Sequence, residues 1–166
     1  MNEILFIAVL TAVLALVLWK PWRAPKSTPA NKKTLQAYEM RRSVFVNGAE
    51  VAFFKALLAS KPDNAHVFTK VRLEDILRVR KFIKDQKQVW KYRGRIKSRH
   101  VDFALCDNDG QFICVVELDG QAHTKPENIL VDRFKDTIFQ NAGLDLYRVK
   151  VGDDFYQAAR EIWNRV

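Results

Sequence analysis

A chain of 166 residues that is 48% hydrophobic and 28% charged has the apolar content for one folded domain and an appendage, which excludes a disordered chain. Its net charge of +9, from 28 Lys and Arg against 19 Asp and Glu, favours anionic partners such as nucleic acid or a lipid surface. Cys106 and Cys114 are too few for a disulfide framework and lack the spacing of a zinc site, so both are expected as reduced, buried thiols.

The first element is apolar throughout. From Ile4 to Trp19 the run ILFIAVLTAVLALVLW carries no charge, and with its flanks it approaches the ~17–25 residues that cross a bilayer. Only Glu3 precedes it, whereas Lys20, Arg23, Lys26, Lys32 and Lys33 follow. That asymmetry argues against a cleaved signal peptide and predicts an uncleaved single-pass anchor, amino terminus outside and the rest of the chain in the cytoplasm. Trp19 and Trp22 fall where interfacial aromatics belong. Residues 1–22 are thus read as the anchor and 23–34, with Pro25 and Pro29, as a flexible basic linker. Residues 35–166 are read as the folded domain.

In VNGAEVAFFKALLAS, Asn47 caps a helix with Glu50 three residues later, and Val51, Phe54, Leu57 and Leu58 follow at helical spacing. HVFTKVRLEDIL predicts a strand near Val67 to Val71 and then a turn into a basic amphipathic helix. The segment from Arg78 to Arg99 concentrates ten basic residues against Asp85 alone. Its end, KYRGRIKSR, alternates with period two. This predicts a strand with Lys91, Arg93, Arg95, Lys97 and Arg99 on one side. With Trp90 and Tyr92 interleaved, such a face suits phosphate contacts and base stacking. A lysine-guarded edge strand and attraction to anionic lipid are the alternatives.

VDFALC and QFICVVELD flank DNDG, a strong hairpin signal. A turn centred on Asn108 and Asp109 places Cys106 opposite Gln111 and Asp102 opposite Val115. Asp102, Glu117 and Asp119 then share one face, Asp102 and Glu117 as diagonal neighbours ~7–8 Å apart. Three carboxylates together need a proton or a cation, and oxygen-only donors select Mg²⁺ or Mn²⁺; ion pairs with the basic strand are the alternative. His123, after the Asp119-Gly120 turn, is placed to take a proton from water near a metal. A helix from Pro126 to Asn141 follows, with Leu130, Phe134 and Ile138 spaced by four and Gly143 as its stop. LDLYRVKV is a last strand, and a helix from about Asp153 to Trp163 closes the chain. Asp132, Lys135, Asp136 and Arg148 are expected as a salt-bridged helix surface. The order is a mixed α/β domain with one sheet.

HVDFALCDNDGQFICVVELDGQAH followed by DRFKDTIFQNAGLDLYRV resembles the PD-(D/E)XK, or restriction-endonuclease-like, superfamily. More narrowly it is similar to an uncharacterised bacterial domain family related to the very-short-patch repair endonuclease group. The resemblance covers 35–166. It implies a mixed sheet flanked by helices and metal-dependent hydrolysis of nucleic acid, DNA in the first instance. Asp102 and Glu117 match the motif acids, and Glu50 matches the acid of the first core helix. Asp119 stands where the pattern has lysine, so His123, Lys125 or Lys135 would have to supply that role. A catalytically degenerate nucleic-acid-binding domain at the membrane, or a basic lipid- or protein-interaction domain, are the competing expectations.

Overall fold

The structure is a computed structural model describing residues 37–120 and 126–166, the side chains of 126–129 excepted. The expected membrane anchor, the whole of its linker, His123 and Lys125 lie outside the described residues. Among the described residues no helix is long and apolar enough to cross a membrane. The contacts separate residues 1–41 from 42–166, and the architecture below is that of the second unit.

Helix α1 (Gly48–Ser60) begins as its sequence predicts. Asn47 accepts from the Glu50 amide at 3.0 Å, and one Glu50 oxygen accepts from the Val46 amide at 2.9 Å, so the two side chains satisfy donors that a helix start leaves open. Strand β1 (Ala65–Arg72) leads into a single helical turn, α2 (Leu73–Ile76), and then α3 (Gln86–Ile96). Strands β2 (His100–Asp107) and β3 (Phe112–Asp119) form the hairpin. Helix α4 (Pro126–Ala142) crosses to β4 (Asp145–Lys150), and α5 (Phe155–Trp163) follows, capped by Asp154.

The four strands lie in the order β1-β2-β3-β4, with the first two pairings antiparallel and β3-β4 parallel. A parallel neighbour needs a long crossover, which α4 provides. The domain is therefore mixed α/β, a four-stranded mixed sheet flanked by helices.

One core joins the sheet to α1 and α5. Phe53, Leu57, Phe103, Val116, Ile162 and Trp163 are its large members. Phe103 meets Phe53 edge-on with centroids 5.4 Å apart and lies nearly parallel to Phe54 at 6.4 Å, contacts worth about 0.5–1.5 kcal/mol each beyond area burial. Trp163 donates its indole N–H to the Leu57 carbonyl at 3.1 Å, so this buried polar atom is satisfied. A second core joins Val115, Ala104 and Phe139 to Leu73 and Ile96, with Phe134 and Ile138 packed against it. Leu130, expected on the same helical stripe, is instead 67% exposed. Helix α4 stops at Gly143, whose φ of +74° lets the Leu144 amide reach the Phe139 carbonyl and its own amide reach Gln140, the αL stop that favours glycine. Both cysteines are free and buried. Burial, then the charge of Asp145, then Cys106, pushes the Cys114 thiol up to about 12, which leaves it inert.

Two expectations are corrected. Lys91 to Arg99 is not a strand. Asp85 caps α3 by accepting from the Lys87 amide at 2.9 Å, and Val89 and Ile96 turn inward. The period-two run of cations is therefore wound onto a helix, where Lys87, Lys91 and Arg95 fall four apart instead of five cations lining one side. The hairpin register also differs. Asp107 pairs with Gln111 across a three-residue loop whose Gly110 has φ +76°, one residue longer than expected. That alone would throw Asp102 and Glu117 onto opposite faces. However, Cys106 lies opposite Phe112 while Leu105 lies opposite Cys114, so Ile113 is the extra residue of a bulge that restores the alternation. Ala104 then faces Val115 and Phe103 faces Val116. Continuing that register sets Asp102 directly opposite Glu117 rather than Val115.

Candidate active-site cleft and its charge row

Each strand contributes one charged residue to a row across the face that carries α4. The β1–β2 register carries Lys70 to Asp102, the hairpin register carries Asp102 to Glu117, and Glu117 is the partner of Arg148 in the parallel pairing. The row reads plus, minus, minus, plus. Its two central acids are the ones the hairpin argument placed together, and α1 and α4 complete the surroundings with Glu50 and Lys135.

Lys70 bridges two acids, 2.9 Å from Glu50 and 2.7 Å from Asp102. Its φ of +54° is unusual for a residue with a Cβ and costs on the order of 1–2 kcal/mol. Burial pulls the Lys70 pKa down, but the hydrogen bonds and charges of Asp102 and Glu50 outweigh it and raise it above the ordinary lysine value. The other Asp102 oxygen accepts from the Leu118 amide at 3.0 Å. Glu50 therefore has two duties, one oxygen on the helix start and the other on Lys70.

Glu117 is 5% exposed. Lys135 of α4 donates to one of its oxygens, and Arg148 lies 3.4 Å from the other. Burial nonetheless pushes the Glu117 carboxyl above the ordinary glutamate range, against the opposing pull of Lys135 and Arg148. Arg148 also reaches Asp119 at 3.1 Å, Asp132 at 3.5 Å and Asp136 at 3.0 Å, so one guanidinium fastens α4 to the sheet. The expected helix surface ion pairs thus form, but they extend inward to the sheet acids.

Glu50, Asp102, Glu117 and Lys135 line a cleft of about 440 Å³, together with Ser98, Arg99, His100 and Asp132. Sequence reasoning missed Lys70 and His100 at this place. Lys70 carried no signal beyond being a polar residue in a strand, and His100 opens β2 at the cleft wall. Partial burial, and after it the charge of Lys70, lowers the His100 pKa. Of the basic segment, Arg99 reaches the cleft, its guanidinium 5.4 Å from the Phe134 ring. Arg93 pairs with Glu74 and lies over Trp90 at 5.5 Å. The carboxylates are therefore neutralised by Lys70, Lys135 and Arg148, not by the 91–99 stretch.

Among the described residues, no group of three or more His, Cys, Asp and Glu side chains is arranged to hold a metal ion by itself. Asp119 is engaged by Arg148 and does not line the cleft, whereas Asp102 and Glu117, opposite one another in the hairpin, open on it beside Glu50 and Asp132. Mg²⁺ characteristically takes one or two carboxylates and completes its shell with water and substrate phosphate. The donor set fits a hard cation that arrives with a phosphate-bearing ligand; it does not fit a resident cage.

Fold and cleft together define a small mixed α/β domain with a charged row across one sheet face. Residues 41–164 match the family described as Protein of unknown function (DUF2726), and the chain belongs to that family. No curated protein and no solved structure compared with the chain matches it.

Proposed function

We propose that the domain is a nuclease of the PD-(D/E)XK class, held at the bacterial inner membrane and facing the cytoplasm, that hydrolyses phosphodiesters of nucleic acid. The observation that carries this reading is the convergence of Asp102, Glu117 and Lys135, from two strands and a helix, on one cleft. Asp102 and Glu117 would hold Mg²⁺ or Mn²⁺, which when bound supplies an activated water and neutralises developing charge. Lys135 stands where a cation can hold a phosphate oxygen or orient water, the role left open by Asp119 in the motif. Glu50 and Lys70 position Asp102, and Arg99 adds a phosphate contact at the cleft wall. Metal-stimulated cleavage of labelled DNA and RNA by the full-length chain in detergent, abolished by a chelator, is the direct test.

A second reading keeps nucleic-acid binding without hydrolysis. Its support is that each cleft acid already holds an ammonium or guanidinium group, so the site is electrostatically content without metal.

Both readings assign phosphate binding to the basic segment. The exposed Lys87 and Lys91 lie one turn apart on α3. Reversing both to Glu is expected to weaken nucleic-acid affinity at least about tenfold and to flatten the log–log salt slope by roughly 2, the loss of two phosphate contacts. Fluorescence anisotropy across a salt series reads both numbers, and an unchanged slope would move these lysines off the interface. The topology is checked separately. A reporter active only in the cytoplasm, fused after Val166, is expected to be active, and a reporter active only in the periplasm silent; the reverse pattern would overturn the orientation.

A further inference from the structure

A second pocket lies between α3 and α4. It holds about 270 Å³, with Leu77, Ile83, Tyr92, Ile96, Phe134 and Ile138 as walls and Arg78, Arg80 and Arg95 at its edge. We infer that this pocket receives one unstacked nucleobase of a single-stranded or locally opened nucleic acid, while Arg78 and Arg95 hold the flanking phosphates. The inference rests on the nucleic-acid reading above and names the substrate class that reading leaves open.

Three observations favour a base over other occupants. The volume of about 270 Å³ falls just under the ~300–1,000 Å³ of pockets for drug-sized ligands, which suits a single planar ring system. The lining is apolar with two aromatic rings, Tyr92 and Phe134, and such platforms bind any base through its π-face. The rim is cationic in a selective way. Arg80 is committed to the Asn141 carbonyl at 2.8 Å, whereas Arg78 and Arg95 make no ion pair among the described residues.

The pocket also borders the cleft. Phe134 walls the pocket, its neighbour Lys135 lines the cleft, and Arg99 of the cleft lies over the Phe134 ring. On the other side Ile96 belongs to the pocket and Ser98 to the cleft. A strand with one base seated here therefore has the cleft of Asp102 and Glu117 beside it, within reach of its backbone. Paired duplex keeps its bases stacked and cannot fill the pocket without opening.

The test compares a labelled single strand with an abasic strand of the same phosphate count, binding to the full-length chain in detergent, by anisotropy. The wild-type chain is expected to bind the base-bearing strand about 5- to 100-fold more tightly. Tyr92→Ala, and Ile138→Trp as a pocket-filling change, are expected to bring that ratio toward one while leaving abasic-strand affinity and the salt slope unchanged. Since Tyr92 is 39% exposed and the wild-type ratio needs no variant at all, misfolding of Ile138→Trp would not obscure the result. A wild-type ratio near one, or a ratio untouched by Tyr92→Ala, with steep salt dependence retained, overturns the base pocket and leaves the nucleic-acid reading standing. Absence of salt-dependent binding to either strand overturns both. A preference of the wild-type chain for phosphatidylserine over phosphatidylcholine vesicles that Tyr92→Ala removes, with the strand ratio unaffected, would assign the pocket to lipid and overturn the inference.

Discussion

Asp102→Asn and Glu117→Gln are each expected to lower metal-stimulated phosphodiester hydrolysis on the order of 10³-fold, the scale of removing one group that stabilises transition-state charge, while nucleic-acid affinity changes less than about threefold because phosphate binding rests largely on the basic segment. Both substitutions preserve shape, so the loss isolates charge. They do not leave the site undisturbed. Asp102 accepts from Lys70 and from the Leu118 amide, and Glu117 accepts from Lys135 and Arg148. An amide nitrogen in place of either oxygen confronts one donor with another, at about 1–3 kcal/mol. A melting curve must therefore accompany the kinetics, to show that the variant is folded at the assay temperature. Wild-type chain that cleaves neither DNA nor RNA in Mg²⁺ or Mn²⁺ would defeat the enzymatic reading, and full activity in either variant would remove that acid from the chemistry.

Lys70→Met is expected to destabilise the domain by about 2 kcal/mol in urea denaturation. Breaking a fully buried ion pair from one side costs ~3–5 kcal/mol; here the side chains of Lys70, Glu50 and Asp102 keep 17%, 9% and 19% exposure, which lets water take part of the load. Methionine retains the Cβ and the apolar stem, so the strain at φ +54° is the same in both chains and cancels. The pH dependence carries the signature. Because the folded-state pKa of Lys70 is raised, its contribution is fully present below the ordinary lysine value of 10.5 and is lost as pH rises through the folded value. The wild-type advantage should thus hold at neutral pH and fade in strong alkali. A deficit that persists unchanged through strong alkali would mean that Lys70 acts through packing alone.

Several parts of this molecule were legible locally. The Asn47 and Glu50 cap, the hairpin about Asn108, the helix stop at Gly143 and the final helix are each written in a few adjacent residues, since caps and turns satisfy backbone groups within one or two turns of chain. Side-chain alternation likewise put Asp102 and Glu117 on a common face. Yet that conclusion survived through two offsetting deviations, a loop one residue longer and a bulge at Ile113. Neither leaves a mark in composition.

The basic stretch shows where local reading runs out. Lys91 to Arg99 alternates as a strand would, but with so many cations most positions are charged and the pattern loses its power to choose a period. Asp85 as a cap, and the burial of Ile96 against Leu73, Val101 and Phe139, decide for a helix. The counter-ions of the site were beyond local reach altogether. Lys70 is 32 residues from Asp102, Lys135 is 18 from Glu117 and Arg148 is 31 from Glu117. The sequence by itself determined the carboxylate pair, because period-two geometry acts within a hairpin. Only the tertiary structure decided which cations meet those acids, because strand order, the parallel crossover through α4 and the register of β4 are set by burying two opposite faces of one sheet at once.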